Sequence, residues 1–124
     1  MLRLLLDEHI SPLVARQITS QLPLDAVISM QEWEHGAYLG AADFEILEAA
    51  YVQGLTLVTY DLRTIATLIK SMGDAGTHHG GVVFKDRRTI AQQDIGTQVR
   101  SLAALPHREA SADWTNKVIY LRAE

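Results

Sequence analysis

The chain has 124 residues, 48% hydrophobic and 21% charged, with no cysteine and a formal net charge of −4. That length fits a single globular domain over residues 1–124, and the missing cysteines exclude disulfides, thiolate metal sites and thiol chemistry. An acidic balance, with pI ≈ 5.7, argues against binding nucleic acid over a broad basic face but leaves a local basic patch open.

The elements alternate along the chain. Leu2 to Leu6 is apolar apart from Arg3 and predicts a strand buried on both faces. Asp7 and Glu8 cut that run too early for a secretory leader, and no stretch reaches the ~18 apolar residues of a membrane span. The expectation is a cytoplasmic protein without a membrane partner. Ser11-Pro12 reads as a helix start, with Val14, Ile18 and Leu22 on one face and an end near Leu22-Pro23. Asp25 to Ser29 predicts a second strand, and Met30 to Gly40, without a clear period, a loop. In this reading Trp33 and Trp114 are buried or at a subunit contact rather than stacked on bases.

A second helix is expected from Ala42 to Gln53, with Gly54 as its stop. Leu55 to Tyr60 reads as a strand, Thr64 to Met72 as a helix and the glycine-rich Gly73 to Gly81 as a loop. Val82 to Phe84 predicts a fourth strand, Thr89 to Leu105 a long helix and Lys117 to Arg122 a last strand at an edge, after a loop-like stretch from His107 to Trp114. Strands alternating with helices imply a three-layer α/β sandwich with a central, mainly parallel sheet.

Ligands of such sheets bind beyond the carboxyl ends of the strands. Asp7-Glu8-His9 follows the first strand and Asp61 the third, Asp43 opens the second helix, and Lys85-Asp86-Arg87-Arg88 follows the fourth strand. Carboxylates gathered at one rim repel unless a cation lies between them, and Mg²⁺ or Mn²⁺ suits an all-oxygen donor set. Each acid also has a structural role open to it: Asp7 and Asp61 as helix caps, and Asp43 at the positive end of its helix. Glu45 and Glu48 read as solvent-facing helix residues. The adjacent His78 and His79 read as exposed loop residues, and no histidine has zinc-type spacing. Dinucleotide, P-loop and serine-hydrolase motifs are absent.

The blocks LLLDEHISP, GAADFEILEAAYVQGLTLVTYD and HHGGVVF, in that order over residues 2 to 88, resemble the compact PIN-like family of bacterial and archaeal proteins. Members are described as toxin components of toxin–antitoxin systems. The resemblance implies a PIN-like α/β sandwich and a metal-dependent ribonuclease. It implies catalytic Asp7, Asp43 and Asp61, metal ligands Asp7, Glu8, Asp43 and Asp61, and Mg²⁺ or Mn²⁺ as cofactor. RNA is then the substrate, met by the basic Lys85, Arg87 and Arg88, with an antitoxin protein or a second copy as partner. The chain departs from the family's pattern at His9, where Asn is frequent, and at Arg63, where a second Asp is usual. A catalytically silent PIN-like interaction module is the alternative, and a phosphohydrolase using Asp7 as nucleophile ranks behind both.

Overall fold

A computed structural model describes residues 2–22, 26–108 and 113–123. The first helix ends at Ile18, not near Leu22-Pro23, where the Thr19 and Ser20 hydroxyls donate to the Arg16 and Gln17 carbonyls. Pro23, the strand start at Asp25 and part of the 107–114 loop lie outside the described residues. Five strands form one sheet: β1 (Leu4–Leu6), β2 (Val27–Ser29), β3 (Thr56–Thr59), β4 (Val82–Phe84) and β5 (Val118–Tyr120). The order is β2-β1-β3-β4-β5, and every pair is parallel. The chain steps from β1 to one neighbour, then returns to the other side of β1 for β3. That reversal makes the gap between β1 and β3 the switch point of a doubly wound sheet.

Both faces of the sheet are covered, so the inner strands are apolar throughout. Helices α1 (Pro12–Ile18) and α4 (Ile95–Arg108) lie side by side on one face. They close a core of Leu4, Leu6, Val14, Ile18, Val58, Val83, Val99 and Leu102. Helices α2 (Asp43–Val52) and α3 (Leu62–Asp74) cover the other face, over Leu5, Ile46, Leu47, Leu57, Ile65, Val82 and Phe84. The alternation Leu4/Leu6 against Leu5, and Val58 against Leu57, is the strand's two-residue period dividing side chains between two cores. Burying each such side chain contributes roughly 1.5–3 kcal/mol. The result is the expected three-layer α/β sandwich with an all-parallel sheet.

Local chemistry fixes the element ends. The Ser11 hydroxyl caps α1 by accepting from the Leu13 N–H, with Pro12 in the first turn. Gly54 ends α2 at φ +71, a conformation glycine adopts without strain.

Two further segments depart from expectation. Helix α4 begins at Ile95, not Thr89, because Asp94 accepts from the Thr97 N–H at 3.1 Å and so places the cap there. Residues 89–94 instead turn across the carboxyl rim, with Ile90 buried and its carbonyl accepting from the Tyr60 hydroxyl. Within the expected loop from Met30 to Gly40, Trp33–Gly36 forms a 3₁₀ turn. Trp33 is buried there, stacked on Tyr38 at 4.4 Å and donating to Gln53. No described helix is long and apolar enough to cross a membrane.

Candidate functional site

Asp7 is the first residue past β1. Its N–H donates to the Val58 carbonyl at 3.0 Å, which carries the Leu6–Val58 register one step further and sets Asp7 opposite Thr59. The buried Thr59 hydroxyl donates to the Asp7 carboxylate at 2.6 Å and accepts from the Asp61 N–H at 3.0 Å. One hydroxyl therefore ties the acid after β1 to the acid after β3 across the switch point. The second Asp7 oxygen accepts from the Glu8 N–H at 2.8 Å. Asp61 caps α3 through the Thr64 N–H at 3.1 Å, so its structural role is real and coexists with its place at the rim.

Asp43 opens α2, and no hydrogen bond reaches its carboxyl among the described residues. That carboxyl is pushed above the ordinary carboxylate range, first by burial and then by the charges of Asp7, Asp61 and Glu8. The four acids thus share one field, all half-buried. No ion pair joins any of them to a described cation. Among the described residues, no three Asp, Glu or His side chains lie close enough together to ligate one ion. The donor chemistry, carboxylate oxygens with uncompensated charge, fits a hard divalent cation such as Mg²⁺ or Mn²⁺. The spacing means that such an ion would have to draw the carboxylates inward.

The neighbours of the acids are placed plainly. His9 is exposed, and its carbonyl accepts from the Gln92 side chain. Arg63 is exposed on α3 and makes no ion pair with the acids. Glu45 and Glu48 face solvent, as expected.

The basic cluster divides. Lys85, expected to contact RNA, is instead buried, because the pleat that turns Phe84 toward α3 turns Lys85 toward α4. Its ammonium donates to the buried Gln98 and lies 5.1 Å from the centre of the Tyr60 ring. Burial pulls the amine down to about 7. Arg88 grips Asp86 at 2.8 Å and holds that carboxyl down to about 2. Arg87 is exposed, donates to the Gln92 side chain and lies 5.2 Å from the Tyr60 ring centre, with no described carboxylate partner.

The histidine pair divides as well. His78 is exposed, but His79 is buried, contrary to expectation, and its Nδ1 accepts from the Gly81 N–H. Both precede β4 and so stand at the amino end of the sheet, away from the acids.

Sequence reasoning missed Thr59. Within LTLVTY its threonines read as strand formers, yet the two-residue period puts Thr59 in line with Asp61, which was the available signal. Comparison of the chain with protein-family models, with characterised proteins and with solved structures returned no significant match.

Proposed function

We propose that the chain is a divalent-cation-dependent endoribonuclease that hydrolyses RNA phosphodiester bonds at the crevice between β1 and β3. The observation that carries this reading is the field that Asp7, Asp61 and Glu8 impose on Asp43 at the switch point, with no ion pair to any of the four among the described residues. Crowding like charges opposes folding, and the cap and hydrogen bonds that Asp7 and Asp61 make leave Asp43 and Glu8 without a structural reason to join them. A phosphate brought between these carboxylates would also be repelled unless a cation bound there first.

Asp7 and Asp61 would hold the ion from the two strand ends, with Asp43 and Glu8 completing the donor set. A bound Mg²⁺ or Mn²⁺ supplies an activated water and neutralises charge on the leaving oxygen. Thr59 orients the Asp7 carboxylate through its 2.6 Å hydrogen bond. Asp43, with its raised pKa, is the acid of the group readiest to carry a proton when no ion is bound. The PIN-like resemblance supports the same reading. It extends it to a toxin held by an antitoxin protein or by a second copy, in the cytoplasm.

The test is cleavage of single-stranded RNA with EDTA, Mg²⁺ or Mn²⁺, beside Mn²⁺ titration. Activity only with the metals, lost in Asp7→Asn and Asp61→Asn, supports the reading. The silent interaction module is favoured by exposed Arg63 where the PIN-like pattern has an acid. If the wild type neither binds Mn²⁺ nor cleaves RNA, while Arg63→Asp gains both, the silent module is the better account.

A further inference from the structure

Beside the acids, the same rim carries a cleft of about 400 Å³ lined by Tyr60, Leu62, Phe84, Arg87, Arg88 and Tyr120, with Lys85 and Asp86 also contributing. Leu62 directly follows Asp61, so the cleft begins where the acid group ends. The register pairs Phe84 with Tyr120, and both point to the sheet face that also carries Leu57 and the α2/α3 core. The core on that face takes in Phe84 but not Tyr120. Phe84 is 2% exposed, whereas Tyr120 is 64% exposed. The two rings lie 5.6 Å apart at 31°, so one side of Tyr120 rests on Phe84 while much of the ring stays open.

An exposed tyrosine on an edge strand is unremarkable by itself. This one stands in a cleft with a second aromatic ring, an exposed leucine and a cation. Leu62 is 42% exposed, and Arg87 has no described carboxylate partner in a chain of net charge −4. An open ring face with a neighbouring guanidinium is the pairing that takes an unpaired base and its phosphate.

We propose that this cleft is a base-stacking subsite for single-stranded RNA, with the base on Tyr120 and the adjoining phosphate at Arg87. The choice of occupant rests on the ribonuclease reading; the placement rests on the cleft. A strand seated here continues past Leu62 to Asp61, which brings its next phosphate toward the acids. Duplex RNA is rejected, because its bases are stacked on one another and offer no free face. Recognition tolerates sequence, since every base has a π-face.

The test is fluorescence anisotropy of a short labelled oligouridylate in EDTA, where no cleavage occurs. Tyr120→Ala should weaken binding roughly tenfold, and Tyr120→Phe should stay within about twofold of wild type. Both variants should fold, because the side chain is largely exposed. Arg87→Ala should weaken binding and flatten its salt dependence. Binding unchanged in Tyr120→Ala overturns the subsite. So does an equal loss in Tyr120→Phe, or no binding by the wild type. The two readings fail separately. Tyr120-dependent binding without cleavage in Mn²⁺ sinks the ribonuclease and keeps the subsite. Metal-dependent cleavage with Tyr120→Ala binding as wild type does the reverse.

Discussion

The Thr59 hydroxyl donates to the Asp7 carboxylate at 2.6 Å across the β1–β3 pair, and the same oxygen accepts the Asp61 N–H. Thr59→Val keeps the shape but leaves a carboxylate oxygen and a part-buried N–H without their partner. That should destabilise the chain by about 1–3 kcal/mol. Thr59→Ser keeps the hydroxyl and loses one methyl, at about 1 kcal/mol. Urea unfolding of the three proteins checks the order. A Val variant as stable as wild type would show that the hydroxyl does not organise the rim.

Asp43 offers a stability test of the acid group. Its folded pKa is raised by burial and by Asp7, Asp61 and Glu8. A raised pKa stabilises the fold below the unfolded value and withdraws that stability as pH rises through the folded value. At neutral pH the ionised carboxylate is therefore a burden. In EDTA, Asp43→Asn should raise the unfolding midpoint at pH 7, by less than about 1 kcal/mol because the site is half open to solvent. The advantage should vanish near pH 3. Mn²⁺ should stabilise the wild type more than the variant. Thermal unfolding with and without Mn²⁺ decides it, and a destabilised Asn variant at pH 7 contradicts the shared field.

The layers of the fold were legible because the buried strands are nearly uninterrupted apolar runs and the helices between them carry spaced core residues. Asp7 and Asp61 were legible as the polar residues that end such runs. Lys85 was not, because a lysine leading into Asp86-Arg87-Arg88 reads as part of a charged turn. Its burial is set by pleat parity with Val83 and by Gln98 arriving from a distant helix. The start of α4 was missed because Ile90 continues an apparent helical period, while the cap that decides it is Asp94 with Thr97. The division of His78 from His79 depends on contacts with Gly81 and Asn116, which adjacent identical residues cannot announce.

Lys85 should reveal itself through alkaline pH. Its amine is pulled from 10.5 to about 7 by burial beneath the Tyr60 ring, against Gln98. Above about 7 the folded chain gives up this proton while the unfolded chain keeps it. Stability from this group therefore rises with pH from about 7 toward 10.5. Lys85→Met retains the volume and should flatten that slope. It should also leave RNA binding near wild type, since the amine does not reach solvent. Urea midpoints between about pH 7 and 9 measure the slope, below the range in which Tyr60, raised to about 12, ionises. A slope unchanged in the variant would mean that Lys85 is charged in the fold at all these values.

His79 should act in the opposite direction of pH, at the other end of the sheet. Burial, then the neighbouring His78, lowers its pKa below 6.5. Its Nδ1 accepts from the Gly81 N–H at 3.0 Å, and a protonated ring would face that donor with a donor of its own. The backbone has little room to yield. A Cβ on Gly80 would stand 2.5 Å from the Leu55 carbonyl oxygen, and one on Gly81, at φ +101, 2.7 Å from that of Trp114. Asn116 holds the segment from outside by accepting the His79 N–H at 3.1 Å and donating its own N–H to the His79 carbonyl at 2.9 Å. As pH falls below 6.5 the unfolded chain takes up a proton that the folded chain resists, so stability is lost. His79→Asn places an amide oxygen near the Nδ1 position and cannot titrate. The variant should be less stable at neutral pH through lost ring packing, yet should lose less on going from about pH 7 to 5 than the wild type. Carboxylates titrate in both proteins, so the difference between the two curves isolates the histidine. In an NMR titration the His79 ring should shift below pH 6.5. A His79 titration at or above 6.5 would mean that the ring accepts a proton in place and that the Gly81 contact does not constrain it.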